Sequence, residues 1–296
     1  MAQFEIPTLQ VKEMQQKGLE MLLFFDQFCR EHRLTYFLCG GCCIGTVRNH
    51  GFVPWDDDVD VFMPRKDYEM LKKQWIDTER YSIQFTTKEC ITQNQFLTIC
   101  DNETTFIKTY QKDLDINQGL PLDVLPLDGC PKGWKRKIQK TWALLYSLFI
   151  VGQAPKNHGR GVYLLGKTIL TLVPFQSWRF HAWRLCEKKM TCYSIEKCDF
   201  ITELCSGPHY MQNEYPKEVF AYAVRRNFEG YQMPIPVGYD EYLSMAFGDY
   251  MQLPPEEQRI CHHEYEFIDM NRGYRVYRGS KYFIQKEKID ANEAGV

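Results

Sequence analysis

One short stretch constrains this chain more than any other: Asp56-Asp57-Asp58-Val59-Asp60-Val61, led in by Pro54-Trp55 and preceded upstream by Gly40-Gly41. Strand side chains alternate between faces, so Asp58 and Asp60 are expected to point one way while Val59 and Val61 point into a core. Neighbouring carboxylates repel and raise one another's pKa, and a divalent cation between them removes that cost. Mg²⁺ or Mn²⁺, hard cations that take oxygen ligands, are the expected occupants. Three other readings compete. Asp56, Asp58 and Asp60 match the first positions of an EF-hand loop, but Val61 stands where glycine is required. Asp56-Asp57-x-x-Asp60 has the spacing of a helical diphosphate-binding motif, although Pro54 and the β-branched alternation favour a strand. A solvated acidic turn is the third.

The residues before the acidic stretch point to phosphate. Tyr36-Phe-Leu-Cys39 reads as a short buried strand stopped by Gly40-Gly41 in a tight turn, with a short helix from Cys43 to Asn49. Paired glycines let backbone N–H groups and a helix N-terminus approach a phosphate, and Arg48 adds a bidentate cation. No Walker loop is present, since Gly45 is followed by Thr46-Val47. Downstream, Asp123 stands inside the apolar run Leu120-Pro-Leu-Asp-Val-Leu125, where burial without a partner is costly, so it calls for a cation or a hydrogen-bonded role. Asp128 before Gly129 reads as a turn residue. Phosphate held by backbone and arginine beside a metal on aspartates is a layout for phosphoryl or nucleotidyl transfer.

Strands and helices alternate irregularly around these motifs. Met14, Gly18, Leu22, Phe25 and Cys29 recur at helical spacing, predicting a helix over Val11 to His32. Val59 to Met63 reads as a strand, Pro64 opens a helix from Arg65 to about Asp77, and further strands are expected around Ser82 to Thr86 and Phe96 to Cys100. This predicts an α+β fold, a mixed sheet with flanking helices, over residues 1–130. Residues 131–205 differ: the basic stretch Lys132-Gly-Trp-Lys-Arg-Lys137 leads into two apolar runs, Thr141 to Val151 and Val162 to Phe175, each too short to span a membrane. A helical insert is expected there, either packed on the core or resting on a membrane surface. Residues 206–296 are expected to pack on the core and complete the substrate site.

Charge and composition exclude several classes. The 296 residues carry 36 Lys and Arg against 38 Asp and Glu, without the positive excess of a nucleic-acid binder. The N-terminal MAQFEIPTLQVKEMQQ lacks the basic and apolar regions of a secretory signal, which predicts a cytoplasmic protein, at most peripheral on the inner membrane face. The 12 cysteines then read as reduced thiols packed as small apolar groups. Cys186, Cys192, Cys198 and Cys205 are spaced too widely for zinc, and Cys39-x-x-Cys42 straddles the glycines rather than making a redox pair.

In their order along the chain these motifs resemble the LicD family, which includes fukutin and fukutin-related protein. The resemblance runs through Gly40 to Arg48, Gly51 to Asp60, Met63-Pro-Arg-Lys-Asp-Tyr68 and Leu122 to Gly129. It continues in Tyr215-Pro-Lys-Glu218, Phe228-Glu-Gly230, Gly238-Tyr-Asp240, Gly248-Asp-Tyr-Met251 and Leu253 to Arg259. It implies a nucleotidyltransferase-like fold in which Asp58, Asp60 and Asp123 are catalytic and hold the metal with Asp56, while Gly40, Gly41, Arg48, Trp55, Arg259 and His262 contact substrate. The implied reaction moves a phospho-alcohol, phosphocholine first, from a CDP-activated donor to a sugar hydroxyl of a cell-surface glycan or lipid-linked sugar. CMP leaves, with Mg²⁺ or Mn²⁺ as cofactor. A choline ammonium would meet aromatic faces. Relatives often carry basic residues where this chain has Thr98 and Cys100, and Cys42-Cys43 replaces a more usual Thr-Leu. Rival readings are a nucleotidyltransferase that consumes CTP with pyrophosphate release, a noncatalytic calcium- and membrane-binding protein, and a glycosyltransferase with an Asp-Val-Asp metal motif.

Overall fold

A computed structural model of the chain describes residues 8–155, 158–261 and 264–284. The first helix, α1 (Thr8–Glu31), buries Met14, Met21, Leu22, Phe25 and Cys29 along one face, as their spacing predicts. Gly18 lets it pass close to the sheet, since a Cβ there would come within 2.9 Å of Val59 Cγ2. Next come β1 (Phe37–Leu38), α2 (Gly40–Arg48), β2 (Val59–Pro64) and α3 (Arg65–Gln74). They are followed by β3 (Tyr81–Gln84), β4 (Leu97–Asp101), β5 (Thr105–Lys108) and β6 (Leu120–Cys130).

The sheet runs β1-β2-β6-β4-β3, with β2 and β6 parallel and the other neighbours antiparallel. This is the mixed sheet with flanking helices that the sequence predicts, an α+β arrangement of nucleotidyltransferase type. After three helices, α4 (Trp134–Val151), α5 (Arg160–Leu172) and α6 (Gln176–Met190), β7 (Phe200–Glu203) pairs with the second half of β6, and β8 (Tyr215–Pro216) pairs with β7. The chain then forms the hairpin β9 (Ala223–Phe228) and β10 (Tyr231–Pro236), the helix α7 (Tyr239–Phe247), and β11 (Tyr265–Asp269), which pairs with β5.

Three expectations need correction. Helix α2 begins at Gly40, not Cys43, so the glycine pair forms its first turn; Gly40 takes φ +52°, which glycine adopts without strain. Asp128-Gly129 is no turn but continues β6, because β7 gives that segment a partner and Gly129 admits the backbone of residues 193–194, which a Cβ would meet at 2.6 Å. Buried Asp128 keeps a structural role as the bidentate partner of Arg65, at 2.9 and 2.7 Å. Asp58 lies just before β2 rather than in it.

The main core lies between α1 and the sheet and between the sheet and the C-terminal hairpin and α7. A second cluster joins α4 and α6 through Tyr146, Ile150, Trp183 and Met190, against Leu204 and Met211. All twelve cysteines are free thiols, nine of them buried, and burial pushes the thiols of Cys39, Cys42 and Cys43 up.

Candidate active site

A polar row crosses the otherwise apolar sheet. Asp60 on β2 is the ladder partner of Asp123 on β6, Asp123 pairs with Thr98 on β4, and Thr98 pairs with Gln84 on β3. Residues directly opposite share a face, and neighbouring strands are about 4.8 Å apart, so Asp60 and Asp123 stand side by side. Their chain neighbours Val59, Val61, Leu122 and Val124 are buried and anchor both strands.

The acidic loop reaches the same place. Carboxylate oxygens of Asp56, Asp57 and Asp58 lie within 4.8 Å of one another. Oδ2 of Asp56 is buried and has no hydrogen-bond partner among the described residues. Burial, then the charges of Asp58 and Asp57, push the Asp56 carboxyl well above the usual range. Asp56 Oδ2 occupies the space beside Gly41 where a Cβ would stand, at 1.8 Å, and Asp60 Oδ2 would lie 3.8 Å from a Cβ on Gly40. The N-terminus of α2, with its positive end of the helix dipole, thus faces the Asp56 and Asp60 carboxylates. Asp57, buried within the group, is a member that the sequence reading left out.

This geometry disposes of three alternatives. The loop runs directly into a strand, not between two helices as an EF-hand requires, and none of Asp56 to Asp60 is helical. Nor is it a solvated turn, with Asp57 buried and Asp56 Oδ2 enclosed.

Asp123 has the cation and the hydrogen bond that its burial demands. Thr98 Oγ1 donates to its Oδ1 at 2.9 Å, and Lys108 Nζ, from the end of β5, lies 3.4 Å from its Oδ2. Both Lys108 and Asp123 are buried. Burial disfavours the Lys108 charge, but Asp123 outweighs it, with Tyr110, Asp58 and Asp60 adding to the effect, and the ammonium is held above its ordinary value. Asp123 is thus the direct partner of this lysine, and the charges of Asp58 and Asp60 act on it as well. Sequence reasoning missed it, since a lysine closing a four-residue strand looks like a surface group. Where relatives are expected to carry a basic residue at position 98, this chain has a threonine bonded to Asp123, and the cation arrives from another strand.

The loop and the neighbouring helix α2 are tethered from four directions. Gln15 Nε2 on α1 donates to the carbonyls of Val53 at 3.1 Å and Asp56 at 2.8 Å. Glu229, in the β9–β10 turn, accepts from Phe52 N at 3.0 Å and fills the space beside Gly51. Tyr242 on α7 accepts from Gly40 N at 2.9 Å, and Arg48 donates to Tyr250 O at 3.0 Å. Arg48 ends α2, about 12 Å along the helix from the glycines. Burial and the charge of Arg259 depress its pKa, and Arg259 in turn stands 5.9 Å over the Trp55 ring. Arg48, Trp55 and Arg259 thus gather beside the acidic loop. His262 and its neighbour His263 lie outside the described residues.

A mixed sheet that presents aspartates from two parallel neighbours beside a glycine-initiated helix is the frame of a nucleotidyltransferase-type transferase. Residues 33–129 match the family described as LicD/FKTN/FKRP, nucleotidyltransferase domain. The chain is 30% identical over 284 residues to the lipopolysaccharide cholinephosphotransferase LicD of Haemophilus influenzae, covering 86% of this chain and 96% of that protein. The chain belongs to the LicD family.

Proposed function

We propose that this chain transfers a phospho-alcohol, phosphocholine first, from a CDP-activated donor to a sugar hydroxyl of a glycan or glycolipid at the cytoplasmic membrane face, releasing CMP. The relative's name, a lipopolysaccharide cholinephosphotransferase, supports phosphocholine and a lipid-linked saccharide. The observation that carries the reading is the buried Asp56 Oδ2, without a hydrogen-bond partner among the described residues, beside the carboxylates of Asp57, Asp58, Asp60 and Asp123. An oxygen-only donor set with an orphaned buried oxygen suits Mg²⁺ or Mn²⁺, which Asp56, Asp58, Asp60 and Asp123 would hold. Such a cation supplies charge neutralisation at the donor diphosphate.

The chain's own residues do the rest. Thr98 and Lys108 fix the Asp123 carboxylate in place, and one of Asp58, Asp60 and Asp123 takes the acceptor's proton. Lys108 balances the charge of Asp123, and Gly40 and Gly41 give carboxylate and phosphate close access to the backbone of α2. Arg48, Arg259 and the Trp55 ring take the charged and planar parts of the substrates.

The test is thermal stability with CDP-choline, CDP-ribitol, CDP-glycerol, CTP and CMP, each with and without Mg²⁺, on wild type and on an Asp58→Ala, Asp60→Ala double variant. A ligand of the native state raises the melting temperature. Mg²⁺-dependent stabilisation by one CDP-alcohol, lost in the double variant, and CMP release on turnover are expected. CTP consumption with pyrophosphate release would replace this reading with the nucleotidyltransferase, and stabilisation by calcium alone would replace it with a binding protein.

A further inference from the structure

Helix α5 is an anomaly. Its sequence, RGVYLLGKTILTL, is apolar nearly all round, a composition that globular proteins bury, yet only Gly166 and Leu170 are buried. Gly166 packs against Leu148 at the end of α4 and against Ala154 and Pro155 just after it. At 3.6 residues per turn, Leu165 and Leu172, seven apart, run along one flank of the exposed side, Arg160 and Lys167, also seven apart, along the other, and Leu164 lies between them. Leu165 is 62% exposed and Leu172 72%. Phe175 and Trp178, just beyond the helix, are 59% and 56% exposed and extend the apolar stripe. Ten of the twenty large apolar side chains exposed among the described residues fall between Trp134 and Leu185.

Charge identifies what covers this face. Residues 131–190 contain 12 Lys and Arg and one acidic residue, Glu187, in a chain that is otherwise net negative. Arg136 is buried and Arg184 pairs with Glu187, but Lys135, Lys137, Arg160, Lys167, Lys188 and Lys189 make no ion pair among the described residues. No helix of the described residues is long and apolar enough to cross a membrane. A protein partner would have to match both an aliphatic stripe and a dense single-sign charge, which an anionic bilayer does without specific contacts.

We propose that α5 and the start of α6 form the surface by which this chain docks on a bilayer of anionic lipid. Helix α5 lies flat, with Leu165, Leu172, Phe175 and Trp178 among the acyl chains and Arg160 and Lys167 at the headgroups. The inference deepens the proposed function by giving the lipid-linked acceptor a surface to be met on, and it rests on that reading for this consequence alone.

The experiment is co-sedimentation of the full chain with vesicles of phosphatidylcholine alone or with about one-third phosphatidylglycerol, without donor, acceptor or metal, so that failure of the catalytic reading leaves the result untouched. Wild type is expected to pellet with the anionic vesicles only, and less at high salt. Arg160→Gln with Lys167→Gln should weaken binding by roughly thirtyfold, and Leu165→Asp with Leu172→Asp should abolish it. Unchanged melting temperatures, and unchanged CMP release with a water-soluble sugar acceptor, would keep these effects on the surface. Equal pelleting with neutral and anionic vesicles, or equal binding by the variants, would overturn the proposal. So would a wild-type dimer that the leucine variants dissociate, since a second copy would then cover the face.

Discussion

Replacing Lys108 by methionine tests the electrostatic reading of the site most directly. Methionine keeps the length and apolar stem while removing the charge, which in wild type lies 3.4 Å from Asp123 Oδ2. Breaking a buried pair by removing one partner costs about 3–5 kcal/mol, because the remaining charge is left uncompensated. Here the remaining charge also faces Asp60: two carboxylates about 5 Å apart repel by roughly 3 kcal/mol at an effective dielectric constant near 20. In EDTA at pH 7.5 the variant should therefore lose about 3 kcal/mol or more, a fall of roughly 6–12 °C in melting temperature. Millimolar Mg²⁺ should return most of that loss, since a divalent cation replaces the missing ammonium. The variant should bind Mg²⁺ at least about tenfold more tightly than wild type, as each 1.4 kcal/mol of relieved repulsion is tenfold in affinity. Denaturant unfolding and calorimetric Mg²⁺ titration measure both quantities. A variant as stable as wild type in EDTA, or with unchanged Mg²⁺ affinity, would refute the claim that this lysine balances the charge of Asp123.

The other predictions concern the frame and its pH dependence. Buried Glu203 has its carboxyl raised from 4.5 to about 7, chiefly by burial, against the donated N–H groups of Cys205 and Ser206. The unfolded chain gives up that proton first, so Glu203 makes stability fall as pH rises from about 4.5 to 7, by about 3 kcal/mol; Glu203→Gln should remove that fall, and parallel stability–pH curves for variant and wild type would contradict it. Gly41→Ala sets a methyl 1.8 Å from Asp56 Oδ2; circular dichroism should be unchanged while CMP release drops at least about a hundredfold, and activity within threefold of wild type would show the close approach to be dispensable. Glu229→Ala removes a charged acceptor from Phe52 N, worth about 1.5–3 kcal/mol. It should weaken Mg²⁺ binding without altering any carboxylate, and an unchanged Mg²⁺ affinity would mean the loop holds its shape without the tether.

The parts of this site that could be read from the chain alone are those determined locally. Val59, Val61 and Asp60 announce a half-buried strand by alternation, and Asp123 betrays itself as a carboxylate in an apolar run. Gly40-Gly41 marks a backbone position that a side chain would block, although the close neighbour is the Asp56 carboxylate. Lys108 was invisible for a different reason. Strand β5 is four residues long, its partner β11 lies more than 150 residues away, and Asp123 is reached only once both are in place. Likewise Asp128-Gly129 carries the composition of a turn, and only the arrival of β7 and residues 193–194 makes it strand.

The distant tethers follow from what the acidic loop costs. Residues 53–58 have no regular structure of their own, yet they hold carboxylates of like sign within 4.8 Å. Left to itself such a loop would splay until the charges were solvated. It is stopped by Gln15 from α1, Glu229 from the hairpin, and the Tyr242 and Arg48 contacts that join α2 to the C-terminal segment. The Phe228-Glu-Gly230 and Gly238-Tyr-Asp240 motifs therefore belong to the site although they supply no carboxylate to it. The glycine after Glu229 allows the tight β9–β10 turn that aims the glutamate at Phe52, and Tyr242 lies on the helix that Gly238 begins. A chain that kept the aspartates but lost this hairpin would keep the charges without the restraint that makes their repulsion useful, since a cation is drawn only to carboxylates that cannot move apart.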